Sequence, residues 1–255
     1  MPRTASGPLT WHFLKSPCDA KTSGMYSDLT MNDELLVERA DEHVVLTLNR
    51  PERRNALSIA LRDAVSDELD NLAADPAIKV VVITGSGAVF SAGFDLKEFD
   101  RAADDAPFMA ALWASSDRFH RTVLCCPLPT IAAVNGPAIA GGFDLAVMCD
   151  LRVASSTARF SHPERSFGDM VYGPLHDLVG GAIARELTIG GRELTAAEAQ
   201  AVHLVGDVVE PEDLMKQTMR SVERVCIAPR DVLIRTKAKA QRRAGVDPSS
   251  PTLDL

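Results

Sequence analysis

Short β-branched runs and longer stretches of helical spacing alternate along the middle of the chain. The run His43–Leu48 (HVVLTL) is β-branched and stops before Pro51, which predicts a strand that enters a loop. Leucine and valine then repeat at helical spacing over residues 61–72, behind Ser58 as a candidate N-cap. The pattern therefore predicts a strand followed by a helix.

The same alternation repeats twice more. The fully apolar segment KVVVITG (79–85) predicts a second strand, and residues 110–124 predict a helix that the following prolines end. PTIAAVNG (129–136) predicts a third strand, residues 140–149 a helix and residues 150–154 another strand. Apolar strands that alternate with helices are typical of a parallel sheet covered on both faces, so we predict an α/β fold.

The two ends of the chain differ from this middle part. Residues 1–30 lack a clean apolar pattern, which predicts a disordered N-terminal extension before a core at 31–209. Beyond residue 175 the spacing is mainly helical, and we expect a C-terminal helical region at 210–255 with a frayed tail. The segments predicted as helices are 177–189, 195–201, 211–225 and 230–243.

Composition narrows the classes of function. A chain of 255 residues with 46% hydrophobic content can bury one substantial core. The formal charge of -8 disfavours nucleic acid or an anionic membrane as the main partner. The apolar runs are far shorter than the roughly 20 residues that span a bilayer. Five cysteines without a CxxC pair indicate reduced thiols, so we expect a cytoplasmic protein.

Two glycine-centred turns, SAGFDL (91–96) and NGPAIAGGFD (135–144), follow predicted parallel strands. Ligands collect at the carboxyl ends of such strands, and glycine lets main-chain N–H groups approach them closely. Two such groups would form an oxyanion hole, although the glycines could instead serve tight turns. The phosphate-loop, dinucleotide and zinc motifs are absent, so the sequence gives no positive support for a nucleotide or zinc site.

Two carboxylates accompany these turns. Gly141 and Asp144 are three residues apart at a helix start, which places the carboxylate near the Gly141 N–H, although Asp144 could simply complement the helix end. Glu164 lies between aromatic residues and a proline, so desolvation could raise its pKa, although a surface loop is the simpler alternative. His162 is more typical of a loop residue than of a catalytic one.

Three segments in order, NRPERRNALS, VVITGSGAVFSAGFDLKEF and PTIAAVNGPAIAGGFDLAVMCDLRVASSTARFSHPE, resemble the successive motifs of the enoyl-CoA hydratase and isomerase (crotonase) superfamily. The resemblance covers roughly residues 34–209 and is specific as a set. It implies a spiral of ββα units with a C-terminal helical region, assembled as a trimer or a dimer of trimers. It also implies an acyl-CoA thioester as substrate, with no metal or redox cofactor.

The resemblance also assigns site residues. The N–H groups of Phe94 and Gly141 would polarise the thioester carbonyl, and Asp144 and Glu164 align with the paired glutamates of typical hydratases. The substrate would contact residues near the adenine and phosphate end of CoA and residues of the acyl pocket. The first group is Arg54, Ala56, Leu57, Ala92, Asp95 and Leu96, and the second is Met170 and Tyr172, with His176 beside them.

This sequence departs from the family pattern at two places in the site. Asp144 is one methylene shorter than glutamate, and a misplacement of about 1 Å costs on the order of a hundredfold in rate. The glycine-rich PGxGGT stretch after Glu164 is replaced by FGDMVYGPLHDLVG. We expect an enoyl-CoA hydratase, and the alternatives are an isomerase or acyl-CoA hydrolase that uses mainly Glu164, or a non-catalytic acyl-CoA-binding member.

Overall fold

A six-stranded sheet forms the centre of the protein. The computed structural model describes residues 34–166, 168, 170–247 and 249–251, so the predicted N-terminal extension lies outside the described residues. The sheet has the order β1-β2-β3-β4-β6-β9, in which β1 is antiparallel to β2 and the other neighbours are parallel. Its strands are β1 (Leu35–Arg39), β2 (His43–Leu48), β3 (Val80–Gly85), β4 (Thr130–Val134), β6 (Leu151–Ser155) and β9 (Asp207–Val209).

A second sheet of three short strands lies beside the glycine-rich turns. In it β7 pairs in parallel with β5 and antiparallel with β8. Two isolated bridges, Leu57 with Phe94 and Ser91 with Ala138, connect the loop after β3 to neighbouring segments. The strands are β5 (Ala138–Ile139), β7 (Arg159–Ser161) and β8 (Leu194–Thr195).

Helices cover the six-stranded sheet on both faces. All six residues of β3 are buried, because the larger core cluster packs on one face and a smaller cluster with Leu214 and Val222 packs on the other. This explains why residues 80–83 (VVVI) form an uninterrupted apolar run. The helices are α1 (Ile59–Ala74), α2 (Leu96–Ala102), α3 (Ala106–Cys125), α4 (Gly141–Met148), α5 (Gly173–Thr188), α6 (Ala196–Ala201), α7 (Leu214–Cys226) and α8 (Arg230–Ala244).

The α/β fold predicted from the alternation is confirmed. Ser58 caps α1, as predicted, since its hydroxyl oxygen accepts a hydrogen bond of 3.1 Å from the Leu61 N–H. The helix expected from residue 110 begins earlier, at Ala106, because the Asp105 side chain accepts from the Phe108 N–H and caps it there. The sequence did not predict helix α2, strands β1 and β9 or the three strands of the second sheet, because segments of two to seven residues carry almost no periodic signal.

The C-terminal helices pack against the rest of the protein. Helix α7 contributes to the smaller core cluster, and Lys237 of α8 lies 2.7 Å from the Asp150 carboxylate and donates to the Leu128 carbonyl at 2.9 Å. Gly245, with φ of 73°, ends α8 in the left-handed conformation that glycine adopts without strain. The tail that was expected to fray is described only to residue 251, and residues 252–255 lie outside the described part.

Candidate active site

The two glycine-centred turns are in direct contact. A Cβ built on Gly93, whose φ is 85°, would lie 2.7 Å from the Ala140 Cβ and 3.0 Å from the Gly141 nitrogen. A Cβ built on Gly141 would lie 3.1 Å from the Phe94 ring. Close approach and a positive φ therefore require glycine at position 93, position 141 leaves little room for a side chain, and the segments that carry the two predicted N–H donors lie side by side.

Both predicted donors have main-chain N–H groups available for a ligand. Gly141 is the first residue of α4, so its N–H has no acceptor within the helix. Among the described residues, none accepts a hydrogen bond from the Phe94 N–H. These N–H groups can therefore both donate to an acceptor placed between the two turns. Whether they share one thioester oxygen stays a prediction.

The residue before Gly141, Ala140, has a strained backbone conformation. Ala140 has φ of 53° and ψ of -133°, a conformation that costs a non-glycine residue on the order of 1–3 kcal/mol. The Ala140 N–H donates to the Ser161 carbonyl at 2.9 Å, and its own carbonyl accepts from Phe143 and Asp144 at 2.7 and 3.0 Å. These bonds hold the strained turn and fix the direction in which α4 begins.

The residues expected at the CoA end also come together. The Ala92 N–H donates to the Arg54 carbonyl at 2.9 Å, and the Leu57 N–H donates to the Gly93 carbonyl at 2.8 Å. Leu57 is fully buried, and its carbonyl accepts from Arg62 at 2.7 Å, so both of its main-chain groups hold the loops together and its contact with CoA stays a prediction.

Arg50 reinforces the junction between these segments. It pairs with Asp95 at 3.0 Å and donates to the Ala56 carbonyl at 2.6 Å, which connects the two loops by a third route. The Leu96 side chain is 61% exposed, which leaves it free to contact a ligand at the surface.

Asp144 and Glu164 meet in a buried cluster around His162. Asp144 lies in the first turn of α4, and Glu164 lies in the 3₁₀ helix Pro163–Ser166 directly after β7 and His162. The side chain of His162 is fully buried, and its Nδ1 is 2.9 Å from Glu164 Oε1 and 3.8 Å from Asp144 Oδ1. Glu164 is only 9% exposed, which rules out the alternative of a surface glutamate.

Burial dominates the electrostatics of this cluster. It raises the pKa of Asp144 from 3.8 to about 7, and the negative charge of Glu164 acts in the same direction, while His162 and a hydrogen bond from the Val171 N–H oppose the shift. For His162, burial lowers the pKa, but the hydrogen bond to Glu164 and the charges of both carboxylates together raise it above its usual value. The pKa values of Asp144 and His162 are therefore both raised, which favours their protonated forms.

Three atoms of the cluster are buried without a hydrogen-bond partner in the described part of the chain. They are Asp144 Oδ1, His162 Nε2 and Glu164 Oε2. Buried polar atoms are almost always paired, since leaving one unpaired costs about 1–3 kcal/mol. No side chain among the described residues caps α4, so Asp144 is not an N-cap, although its ionised form would complement the helix dipole. The cluster is thus built for a polar ligand rather than for stability.

The predicted acyl-pocket residues lie next to this cluster. Met170 and Tyr172 are half-buried, and between them the buried Val171 donates its N–H to the Asp144 carboxylate. The Tyr172 ring packs against the ring of His176, with centroids 5.7 Å apart. The segment that replaces the family's glycine-rich stretch therefore reaches the carboxylates.

Two functional features escaped sequence analysis. The sequence favoured a loop role for His162, whereas the structure places it between the carboxylates. Its spacing of two from Glu164 across a proline was the only available signal. The second feature is the buried Arg62, whose guanidinium carbon lies 4.4 Å from the centre of the Phe94 ring. Nothing in the spacing of α1 marks this arginine.

The fold and the site together define a crotonase-like protein. The model of the enoyl-CoA hydratase/isomerase family matches residues 39–252. An enoyl-CoA hydratase/carnithine racemase structure from Magnetospirillum magneticum superposes with a TM-score of 0.79 and 30% identity, covering 87% of this chain and 84% of that one. The chain belongs to the enoyl-CoA hydratase/isomerase family.

Curated relatives agree with this membership. The chain is 42% identical over 188 residues to the 2,3-dehydroadipyl-CoA hydratase of Escherichia coli, a match that covers 71% of each chain. It is 34% identical over 203 residues to the crotonyl-CoA hydratase of Syntrophomonas wolfei, covering 76% of this chain and 75% of that one. Every helix in the described part is too short or too polar to cross a bilayer.

Proposed function

We propose that this protein is an enoyl-CoA hydratase, which adds water to the double bond of a 2-enoyl-CoA thioester. The observation that carries the proposal is the pair of buried carboxylate oxygens, Asp144 Oδ1 and Glu164 Oε2, which have no partner among the described residues. A water molecule can donate to two such acceptors at once. The names of the curated relatives support the same reaction class.

The chemistry requires one carboxyl group of the pair to start protonated and the other ionised. The ionised carboxylate takes a proton from water as the oxygen bonds to the β-carbon, and the carboxylic acid gives its proton to the α-carbon, so the double bond gains one water. The raised pKa of Asp144, about 7 because of burial, is consistent with one proton held in the cluster at neutral pH.

The charge that develops during this addition lies on the thioester oxygen. We assign its stabilisation to the N–H groups of Phe94 and Gly141, a contribution of about 3 kcal/mol for one donor. The CoA end would rest against the joined loops that contain Arg54 and Asp95. The proposed reaction transfers only protons and water, so it needs no metal or cofactor. A trimer or dimer of trimers and a cytoplasmic location stay predictions.

Hydration of crotonyl-CoA, followed by loss of the conjugated enone absorbance, tests the proposal. We expect Glu164→Gln to reduce kcat by at least about a hundredfold, because general acid–base catalysis contributes roughly 10²–10⁴. Glu193→Gln, at an exposed glutamate, is the matched control and should retain full activity.

Product analysis separates the alternatives. A shifted double bond or free CoA without hydrated product would indicate an isomerase or a hydrolase instead. If Glu164→Gln leaves every measured activity unchanged while acyl-CoA still binds, the protein is an acyl-CoA binder and the proposed function is wrong.

A further inference from the structure

The imidazole of His162 lies beside both carboxylates of the site, although the proposed reaction requires only the two carboxyl groups. His162 Nδ1 is 2.9 Å from Glu164 Oε1, which is a direct hydrogen bond, and 3.8 Å from Asp144 Oδ1. A carboxylate oxygen can only accept, so the imidazole donates. One N–H therefore holds one oxygen of Glu164.

We propose that His162 is a positioning residue of the acid pair: it holds Glu164 by Oε1, directs Oε2 to the reacting atoms, and balances the charge of the two buried carboxylates. The catalytic role of His162 rests on the proposed hydratase function. It concerns a residue beyond the two carboxylates and the two N–H donors.

The surroundings of His162 hold the ring in place. The Phe143 ring stacks on it with centroids 4.6 Å apart and planes tilted by 30°, so the imidazole has little freedom to rotate. A buried histidine kept only for packing would have no reason to face two carboxylates, since an apolar side chain fills such a space without desolvating charge. The hydrogen bond to Glu164 supplies the reason.

Among the described residues, the charged groups that face His162 are Asp144 from α4 and Glu164 from the 3₁₀ helix. Both are carboxylates, and both favour the imidazolium form against the effect of burial. A positive ring between them lowers the cost of keeping a carboxylate ionised in the same buried cluster. A positive His162 thus stabilises an ionised carboxylate in the pair.

Two variants at His162, with one control, test the inference by steady-state kinetics. We expect His162→Ala to reduce kcat for crotonyl-CoA about tenfold to a hundredfold, with KM changed far less, since misplacement of a reacting group by about 1 Å has an effect of this size. His162→Gln should recover part of the loss, because its side-chain amide can still donate to Oε1. His203→Asn, at an exposed histidine with φ of 62° that asparagine tolerates, should match the wild type.

The pH profile distinguishes positioning from packing. Loss of the imidazolium should raise the cost of an ionised carboxylate in the cluster, so the group that must be ionised for activity in the kcat/KM profile should ionise at higher pH in His162→Gln than in the wild type. A His162→Gln profile that superimposes on the wild type, with kcat unchanged, would overturn the inference. Restoration of a lost His162→Ala activity by added zinc would also overturn it, since it would assign the cluster to a metal.

A measurement without turnover keeps this inference separate from the proposed function. In ¹⁵N-histidine NMR of the full chain, the signal that disappears in His162→Gln belongs to His162. We expect its pKa to fall in Glu164→Gln, because the acceptor loses its charge. An unchanged titration refutes the pairing whatever the activity is. A shifted titration in a protein that hydrates no enoyl-CoA supports the pairing and refutes only the hydratase proposal.

Discussion

Replacing Asp144 by asparagine should make the protein more stable at alkaline pH while it removes activity. The pKa of Asp144 rises from 3.8 to about 7 because the carboxyl group is fully buried. Since the folded state binds this proton more tightly than the unfolded state, the free energy of unfolding falls as pH rises from about 4 to 7. At about 1.4 kcal/mol per pKa unit, the cost of an ionised Asp144 reaches on the order of 4 kcal/mol above pH 7.

Asparagine has the same shape and retains an oxygen that can accept from the Val171 N–H. It removes the charge, so most of this cost should disappear. His162 changes the free energy of unfolding in the same direction, because its raised pKa gives stability that is lost as pH rises through that pKa. This loss should be smaller in Asp144→Asn, where the carboxylate charge no longer stabilises the imidazolium. The wild type should therefore lose stability between about pH 4 and 7 more steeply than Asp144→Asn, and the full difference should be present above pH 7.

Urea unfolding at several pH values and one protein concentration measures this difference. Asp104→Asn, at an exposed aspartate, should follow the wild type throughout. In the hydration assay Asp144→Asn should lose at least about a hundredfold in kcat, as expected for an acid–base residue. If the variant is no more stable than the wild type at pH 8.5 and has the same pH slope, the argument that burial sets the pKa of Asp144 is refuted.

Two further substitutions test the packing around the predicted N–H donors Phe94 and Gly141. Gly93→Ala should reduce kcat/KM by about a hundredfold or more, because its Cβ would lie 2.7 Å from the Ala140 Cβ. The control Gly87→Ala has a similar φ of 72°, but its Cβ would lie 3.2 Å from Pro51, so it should reduce stability alone. Equal kinetic losses in the two variants would contradict this prediction. Arg62→Met should lower the free energy of unfolding by roughly 3 kcal/mol, because the Leu57 and Leu112 carbonyls lose the hydrogen-bond donors of the guanidinium group. Urea unfolding with an unchanged midpoint would contradict this prediction.

Local pattern was sufficient for the scaffold. The signals are the β-branched run before Pro51, the apolar run of β3 and the leucine spacing of α1, and each depends only on neighbours along the chain. The motifs around Gly93 and Gly141 likewise indicated the family and placed two turns at the ends of parallel strands. For these features the sequence alone was enough.

The tertiary structure decided what the site contains. Only packing of α4 against the chain after β7 brings Asp144, His162 and Glu164 together, and their burial raises a pKa that the residue types alone leave near ordinary values. The sequence therefore determined which groups are present, whereas long-range packing determined their distances and their desolvation. Proton affinity depends on both of these, which is why the importance of His162 was invisible in the sequence.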